Sequence, residues 1–251
     1  MAELRIDNLA ARSGRVQRIQ PLSATIHAGQ LVAVVGANGA GKSTLLRAIA
    51  GLIPVTGTVV VQDEPLHSLS HGTRARRLAY LPQIHDFAWA MPVRASVALG
   101  LYAIEAAQRA ADGRVDAVLA QCGIADLADT PVDRLSGGER ALSALARVLV
   151  ADTPILLLDE PVAALDIGRQ YAVLDQLATF ARSGKTVIVV LHDLALVAQY
   201  ADRIVWLDQG RLIADTAASQ TAISEHAPKL LGRTPQWTDN TGGKATPYFS
   251  R

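Results

Sequence analysis

The sequence predicts an α/β fold with a mainly parallel sheet, an antiparallel β subdomain at its N-terminal end and an inserted helical lobe. Three observations carry this. The runs LVAVV (31–35), ILLL (155–158) and VIVVL (187–191) are short, apolar and β-branched, as in strands buried on both faces. Helical patterns separate them, and strand–helix alternation is the mark of a parallel sheet. LRIDNLA, ATIHAGQ and GTVVVQDEP read as antiparallel strands with turns, whereas residues 85 to about 135 are rich in Ala and Leu and poor in strand signal.

The helices follow from spacing. Lys42 to Ala50 places Leu45, Leu46 and Ile49 on one face, and Gly51 ends it. Glu139 to Ala151 carries Leu142, Leu145, Ala146 and Leu149; Tyr171 to Ala181 carries Val173, Leu174 and Leu177. The expected organisation is an α/β core over 1–84 and 151–215, a helical lobe over 85–150 and a polar tail over 216–251, whose end, TDNTGGKATPYFSR, reads as loose.

Composition removes several classes. Half of the 251 residues are apolar, so the chain is not disordered by composition. A net charge of +1 lacks the basic surplus of a nucleic-acid binder, and Arg74, Arg76 and Arg77 read as a solvated face. A single cysteine, Cys122, excludes an internal disulfide scaffold or cysteine-based zinc site. His67 and His71 are four apart, but no third ligand stands nearby, and they read as surface residues. The start lacks a signal-peptide stretch and no apolar run reaches the roughly 18 residues of a spanning helix, so any service to a membrane is expected from its side.

The chemistry begins at Gly36-Ala37-Asn38-Gly39-Ala40-Gly41-Lys42-Ser43-Thr44, after one buried strand and opening a helix. The glycines let backbone N–H groups turn toward phosphate oxygens, and the helix N-terminus adds positive potential. Lys42 reaches β- and γ-phosphates and Ser43 ligates Mg²⁺; the core is therefore of the P-loop NTPase kind, with the whole segment Gly36, Asn38, Gly39, Gly41, Lys42, Ser43 and Thr44 as the nucleotide cradle. A second site is ILLLDE, a buried strand ending in two carboxylates. Asp159 is placed to hold Mg²⁺, and Glu160 to polarise the attacking water. Ser136 and Glu139 in LSGGE form a capping-box pattern before an apolar helix, and such a capped tip also offers N–H groups and a hydroxyl to a phosphate.

The order GANGAGKST, LPQ, LSGGE, ILLLDEP, ALD and LHD resembles the ATP-binding subunit of an ABC transporter over roughly residues 3 to 215. That resemblance implies further roles. Gln83 matches a glutamine that senses Mg²⁺ and the γ-phosphate and joins core to lobe; His192 matches a switch histidine holding the γ-phosphate and Glu160; Asp166 in Ala164-Leu165-Asp166 lies at a dimer contact. It implies a head-to-tail homodimer in which the phosphate loop of one copy faces Ser136 and Gly138 of the other, with ATP between. LSHGTRARRLAYLPQ and PVRASVALG resemble importers of metal chelates: iron-siderophores, haem or cobalamin. The implied partners are transmembrane permease subunits and a substrate-binding protein, with the chain peripheral to the cytoplasmic face of the inner membrane and no nucleic acid involved. The alternatives are a zinc or manganese importer and a soluble ABC ATPase outside transport; a GTPase lacks its Asn-Lys-x-Asp guanine reader here. The chain departs from many relatives in having no aromatic over residues 10–16 to stack on adenine, which leaves cation–π stacking by Arg12 or Arg15, or a weaker hold on the base.

Overall fold

A computed structural model describes residues 3–14, 16–83, 90–102, 113–238 and 245–249. The chain opens with β1 (Leu4–Ser13), β2 (Val16–Ile26) and β3 (Leu31–Val35), then α1 (Lys42–Ile49), β4 (Val55–Val61), β5 (Glu64–Pro65), α2 (His71–Arg77) and β6 (Leu78–Leu81). A helical stretch follows with α3 (Val93–Ala98), α4 (Arg114–Gln121) and α5 (Gly137–Leu149). The chain continues through β7 (Ile155–Asp159), α6 (Ile167–Arg182), β8 (Thr186–Val190), α7 (Leu194–Tyr200), β9 (Arg203–Asp208), β10 (Arg211–Ala217), α8 (Gln220–Leu231) and the short pair β11 (Gln236–Trp237) and β12 (Pro247–Tyr248).

The larger sheet has the order β10-β9-β3-β8-β7-β6, parallel throughout except for β10 against β9. The smaller sheet, β2-β1-β4-β5, is antiparallel. The period-2 alternation of each central strand divides the interior. Val32, Val34, Ile155, Leu157, Ile188 and Val190 face the layer shared with α1 and the small sheet, where Leu45, Leu46 and Ile49 pack on Leu4, Leu9 and Ile19. Leu31, Ala33, Leu156, Leu158, Val187 and Val189 face the other layer, which runs into Leu142, Leu145 and Leu149 of α5 and Leu174 and Leu177 of α6. Each fully buried Leu or Val there stabilises the fold by about 1.5–3 kcal/mol. Arg203 clamps the two sheets together, donating to both carboxylate oxygens of Asp215 and to the carbonyl of Thr25.

Helix boundaries follow their caps. α5 begins at Gly137, two residues before the apolar periodicity, because Ser136 caps it. α6 begins at Ile167 rather than Tyr171 because the Asp166 carboxylate accepts from Arg169 N at 3.0 Å.

Two sequence expectations need correction. The end expected to be loose, residues 238–251, is ordered where it is described, with Thr238 N donating to Thr246 O at 3.1 Å, and the polar stretch before it is ordered too. Ser219 caps α8, Ile223 and Ala227 are wholly buried, Trp237 Nε1 donates to Ser224 Oγ at 2.9 Å, and β11 pairs with β12. A few apolar anchors suffice to order a segment whose average composition is polar; residues 239–244 and 250–251 of the expected loose end lie outside the described residues. Arg74 and Arg77 are not simply solvated: Arg74 donates to the carbonyls of Gly51 and Leu66, and Arg77 to the Val61 carbonyl and the Glu64 carboxylate. His67 and His71 are both exposed, as expected, but stand on different elements, a 3-10 turn and α2, so their spacing is not helical.

Candidate functional site

The carboxyl ends of β3, β7 and β8 bring one set of side chains to one edge of the large sheet, the place where open α/β sheets bind ligands. A cavity of about 570 Å³ there is lined by Asn38, Gly39, Gly41, Lys42, Ser43, Thr44, Gln83, Glu160 and His192, and also by Arg18. The loop after β3 turns through Gly39 (φ 80°) and Gly41 (φ 101°) into α1. A side chain at Gly41 would be strained, since φ lies in the left-handed region, and crowded, since a Cβ would stand 3.0 Å from Ile19 Cδ1 and 3.2 Å from the Arg18 carbonyl. The first N–H groups of α1 thus face the cavity, a ready site for phosphate.

Lys42 is 6 % exposed, and its Nζ donates to the carbonyls of Gly36 (2.9 Å) and Ala37 (3.0 Å). Burial lowers its pKa, against the pull of Glu160 and Asp159. Its ammonium is therefore held on the loop's own carbonyls, poised to exchange them for phosphate oxygens. Gly36 serves from below: it does not line the cavity, and a Cβ there would collide with the Leu207 carbonyl at 2.1 Å.

Asp159 ends β7 fully buried, and among the described residues neither carboxylate oxygen has a hydrogen-bond partner of good geometry, although the Ser43 hydroxyl stands close by. Burial raises its pKa; the Ser43 hydroxyl lowers it, Glu160 raises it further, and Arg47 and Lys42 lower it. An orphaned buried carboxylate beside a serine hydroxyl fits a small hard cation, and Mg²⁺ takes one or two such protein groups with phosphate and water completing the shell. Among the described residues there is no cluster of three His, Cys, Asp or Glu suited to a metal.

Glu160 follows in the left-handed region (φ 54°), a conformation a non-glycine residue holds only when its surroundings impose it. Its Oε1 lies 2.6 Å from His192 Nε2, bringing the strand ends of β7 and β8 into direct contact. The Glu160 carboxylate is 15 % exposed and the His192 ring 43 %, so the pair opens to solvent through the histidine.

Ser136, Gly138 and Asp166 are not brought to this cavity. Ser136 is exposed at the tip of α5, in a complete capping box: its Oγ donates to Glu139 Oε2 at 2.7 Å and its N–H to the same oxygen at 2.8 Å. Those bonds lower the Glu139 pKa. Gly138 lies against the end of the β7–α6 connection, where a Cβ would stand 3.2 Å from the Ala164 carbonyl, and Asp166 caps α6 and pairs with Arg169. One chain therefore carries two distinct polar surfaces, a glycine cradle and a serine-capped helix tip.

Of the two arginines offered by the sequence for base stacking, only Arg12 is described, and it does not line the cavity. Arg12 turns away, its Nε donating to Gln17 Oε1 at 2.8 Å, and lines a separate cleft with Gln17, Gln20 and Pro54. Arg15 lies outside the described residues. Arg18, which sequence reasoning passed over, lines the cavity instead. No local motif marks it; only the folding of β2 across the loop places it there.

Comparison with known proteins agrees with this geometry. The family model described as ABC transporter matches residues 19–163. The hemin import ATP-binding protein HmuV of Nocardia farcinica is 48 % identical over 230 residues, covering 87 % of this chain and 80 % of that protein. The cobalamin import ATP-binding protein BtuD of Halobacterium salinarum is 40 % identical over 210 residues, covering 82 % of this chain and 52 % of that protein. The dimeric, post-hydrolysis structure of an ATP-binding cassette bound to ADP and Pi superposes with a TM-score of 0.77 at 24 % identity, over 86 % of this chain and 98 % of that one, a likeness of fold.

Proposed function

The chain belongs to the ABC transporter family, and from that premise we propose that it is the ATP-hydrolysing subunit of an importer that moves haem through separate permease subunits. The observation that carries the reading is the division of polar surface. Lys42, Gln83, Glu160 and His192 share one cavity, while Ser136 stands exposed outside it, so a complete nucleotide site needs a second copy.

In this reading the α1 N–H groups and Lys42 bind the β- and γ-phosphates of ATP, with Asn38, Gly39, Gly41 and Thr44 shaping the cradle. Ser43, Asp159 and Gln83 would hold Mg²⁺, which, when bound, neutralises phosphate charge. Glu160 accepts the proton of the attacking water. The water oxygen bonds to the γ-phosphorus as the bond to the β–γ bridging oxygen breaks, giving ADP and phosphate. His192, 2.6 Å from Glu160, orients that carboxylate and donates to the γ-phosphate. Ser136 and Gly138 of the second copy close over the same phosphate, with Asp166 at the contact. Closure and release of the pair then drive the permeases.

The hemin-import relatives support haem over cobalamin or a siderophore as cargo. A substrate-binding protein is the expected source of that cargo. The expected location is peripheral, on the cytoplasmic face of the inner membrane; among the described residues no helix is long and apolar enough to cross a bilayer. The test is reconstitution with the cognate permeases and binding protein in liposomes. ATP-driven haem uptake is expected, and Lys42→Ala abolishes both uptake and hydrolysis. Hydrolysis with uptake of a different chelate overturns the haem assignment; near-normal hydrolysis in Lys42→Ala overturns the site.

A further inference from the structure

We propose that Arg18 holds the nucleotide base, its guanidinium plane standing where an aromatic ring would otherwise stack. This rests on the ATP site described above and adds a base-binding residue to it.

Topology fixes which end of a nucleotide meets Arg18. The phosphate loop follows β3, at the centre of the sheet order β10-β9-β3-β8-β7-β6. His192 follows β8 and Glu160 follows β7, both on one flank of that loop. Arg18 approaches from the other flank. The turn between β9 and β10 binds the loop through Gly210 N to Ala40 O (2.8 Å), and β2 binds that turn through Gln20 N to Gly210 O (2.8 Å). The packing is backbone on backbone: a Cβ at Gly210 would stand 2.2 Å from the Arg18 carbonyl, and one at Gly41 3.2 Å from it. A triphosphate whose terminal phosphate meets Lys42 and Glu160 therefore sends its ribose and base past Arg18.

The chemistry at that flank is restrictive. No aromatic side chain lines the cavity among the described residues. Ala11 is 1 % exposed and offers no ring, and Arg12 is engaged by Gln17. Arg18 is exposed, and its guanidinium has no hydrogen-bond or ion-pair partner among the described residues. A planar cation with unspent faces stacks on a π-system, and guanidinium does so better than ammonium because it is flat and weakly hydrated. Stacking reads the shape of a base rather than its edge, so adenine and guanine are both accepted.

The test compares binding of ATP, GTP and inorganic tripolyphosphate to the purified chain by calorimetry, with KM and kcat for ATP in parallel. Arg18→Ala is expected to weaken ATP and GTP roughly 3- to 30-fold, the range of a cation–π contact, raising KM with kcat little changed and leaving tripolyphosphate affinity as it was. Arg18→Tyr is expected to recover most of the ATP affinity despite losing the charge. An equal loss for tripolyphosphate would make Arg18 a phosphate ligand and overturn the proposal, as would unchanged ATP binding in Arg18→Ala or a tyrosine variant no better than alanine. Failure of the unmodified chain to bind ATP at all would instead refute the site itself.

Discussion

Replacing Asp159 by Asn is expected to stabilise the nucleotide-free chain while disabling it as an ATPase. The carboxylate is 0 % exposed, and among the described residues neither oxygen has a hydrogen-bond partner of good geometry. Burial raises its pKa despite nearby Ser43, Arg47 and Lys42, so the ionised form is less comfortable in the folded chain than in the unfolded one. A buried polar group left unsatisfied costs about 1–3 kcal/mol, more when charged. Losing the charge also leaves Lys42 with one fewer counter-charge, but Glu160 remains and is the stronger of its two acidic neighbours. The Asn amide stays buried in the same place, so only the added cost of the charge is relieved; taking that as about 1 kcal/mol, a chain of this size should melt roughly 2–4 °C higher. The assay is calorimetry at neutral pH with EDTA and no nucleotide. The pH dependence has a fixed sign. Folded Asp159 binds its proton more tightly than unfolded Asp159, so the unmodified chain recovers this stability as pH falls through the raised folded pKa toward the ordinary carboxylate range. The Asn variant lacks that increment. With Mg²⁺ and ATP the ranking reverses, because ligand binding stabilises the chain that retains the carboxylate more than the variant, which keeps only the phosphate contacts. A lower melting temperature for Asp159→Asn without ligand would refute the reasoning, since it would show that the carboxylate is already satisfied by the protein.

Glu160→Gln keeps the shape of the site but removes the proton acceptor. Hydrolysis should fall about 10²- to 10⁴-fold, with an ATP-bound dimer appearing in size-exclusion chromatography at millimolar ATP; a monomer that holds ATP under those conditions counts against the shared site. Cys122 is 8 % exposed, and burial pushes its thiol up to about 12. It should resist alkylation at pH 8 until the chain unfolds, and rapid labelling of the native protein would show that α4 opens readily.

The legible parts of the fold were those in which one segment carries its own instruction. β3, β7 and β8 are buried on both faces, and their unbroken apolar runs said so before any partner was known. α1 and α5 were legible through periodicity, with Gly51 and Ser136 marking an end and a start. The region after residue 216 was not, because its order comes from long-range anchoring. Ile223 and Ala227 reach the main core, and Trp237 and Phe249 pack against it, while the intervening residues are polar. Averaged composition hides such sparse contacts. The Arg74 and Arg77 bonds to distant carbonyls were hidden for the same reason.

The candidate site divides along the same line. Lys42, Ser43, Glu160 and His192 each sit at a strand end or helix start, so a local motif names the residue and the parallel sheet brings the motifs to one edge. Arg18 sits within a strand of the other sheet, and its place is decided by how that sheet lies across the β9–β10 turn. The absent aromatic at residues 10–16 showed that something else must serve the base, but it directed attention to Arg12 and Arg15, the cations nearest in sequence. The strand turns Arg12 toward Gln17 and into another cleft, whereas Arg18 lines the cavity with no partner among the described residues. Chemistry thus identified the kind of group required, and the register of β2 against the loop decides between the two described arginines, placing Arg18 and not Arg12 at the cavity.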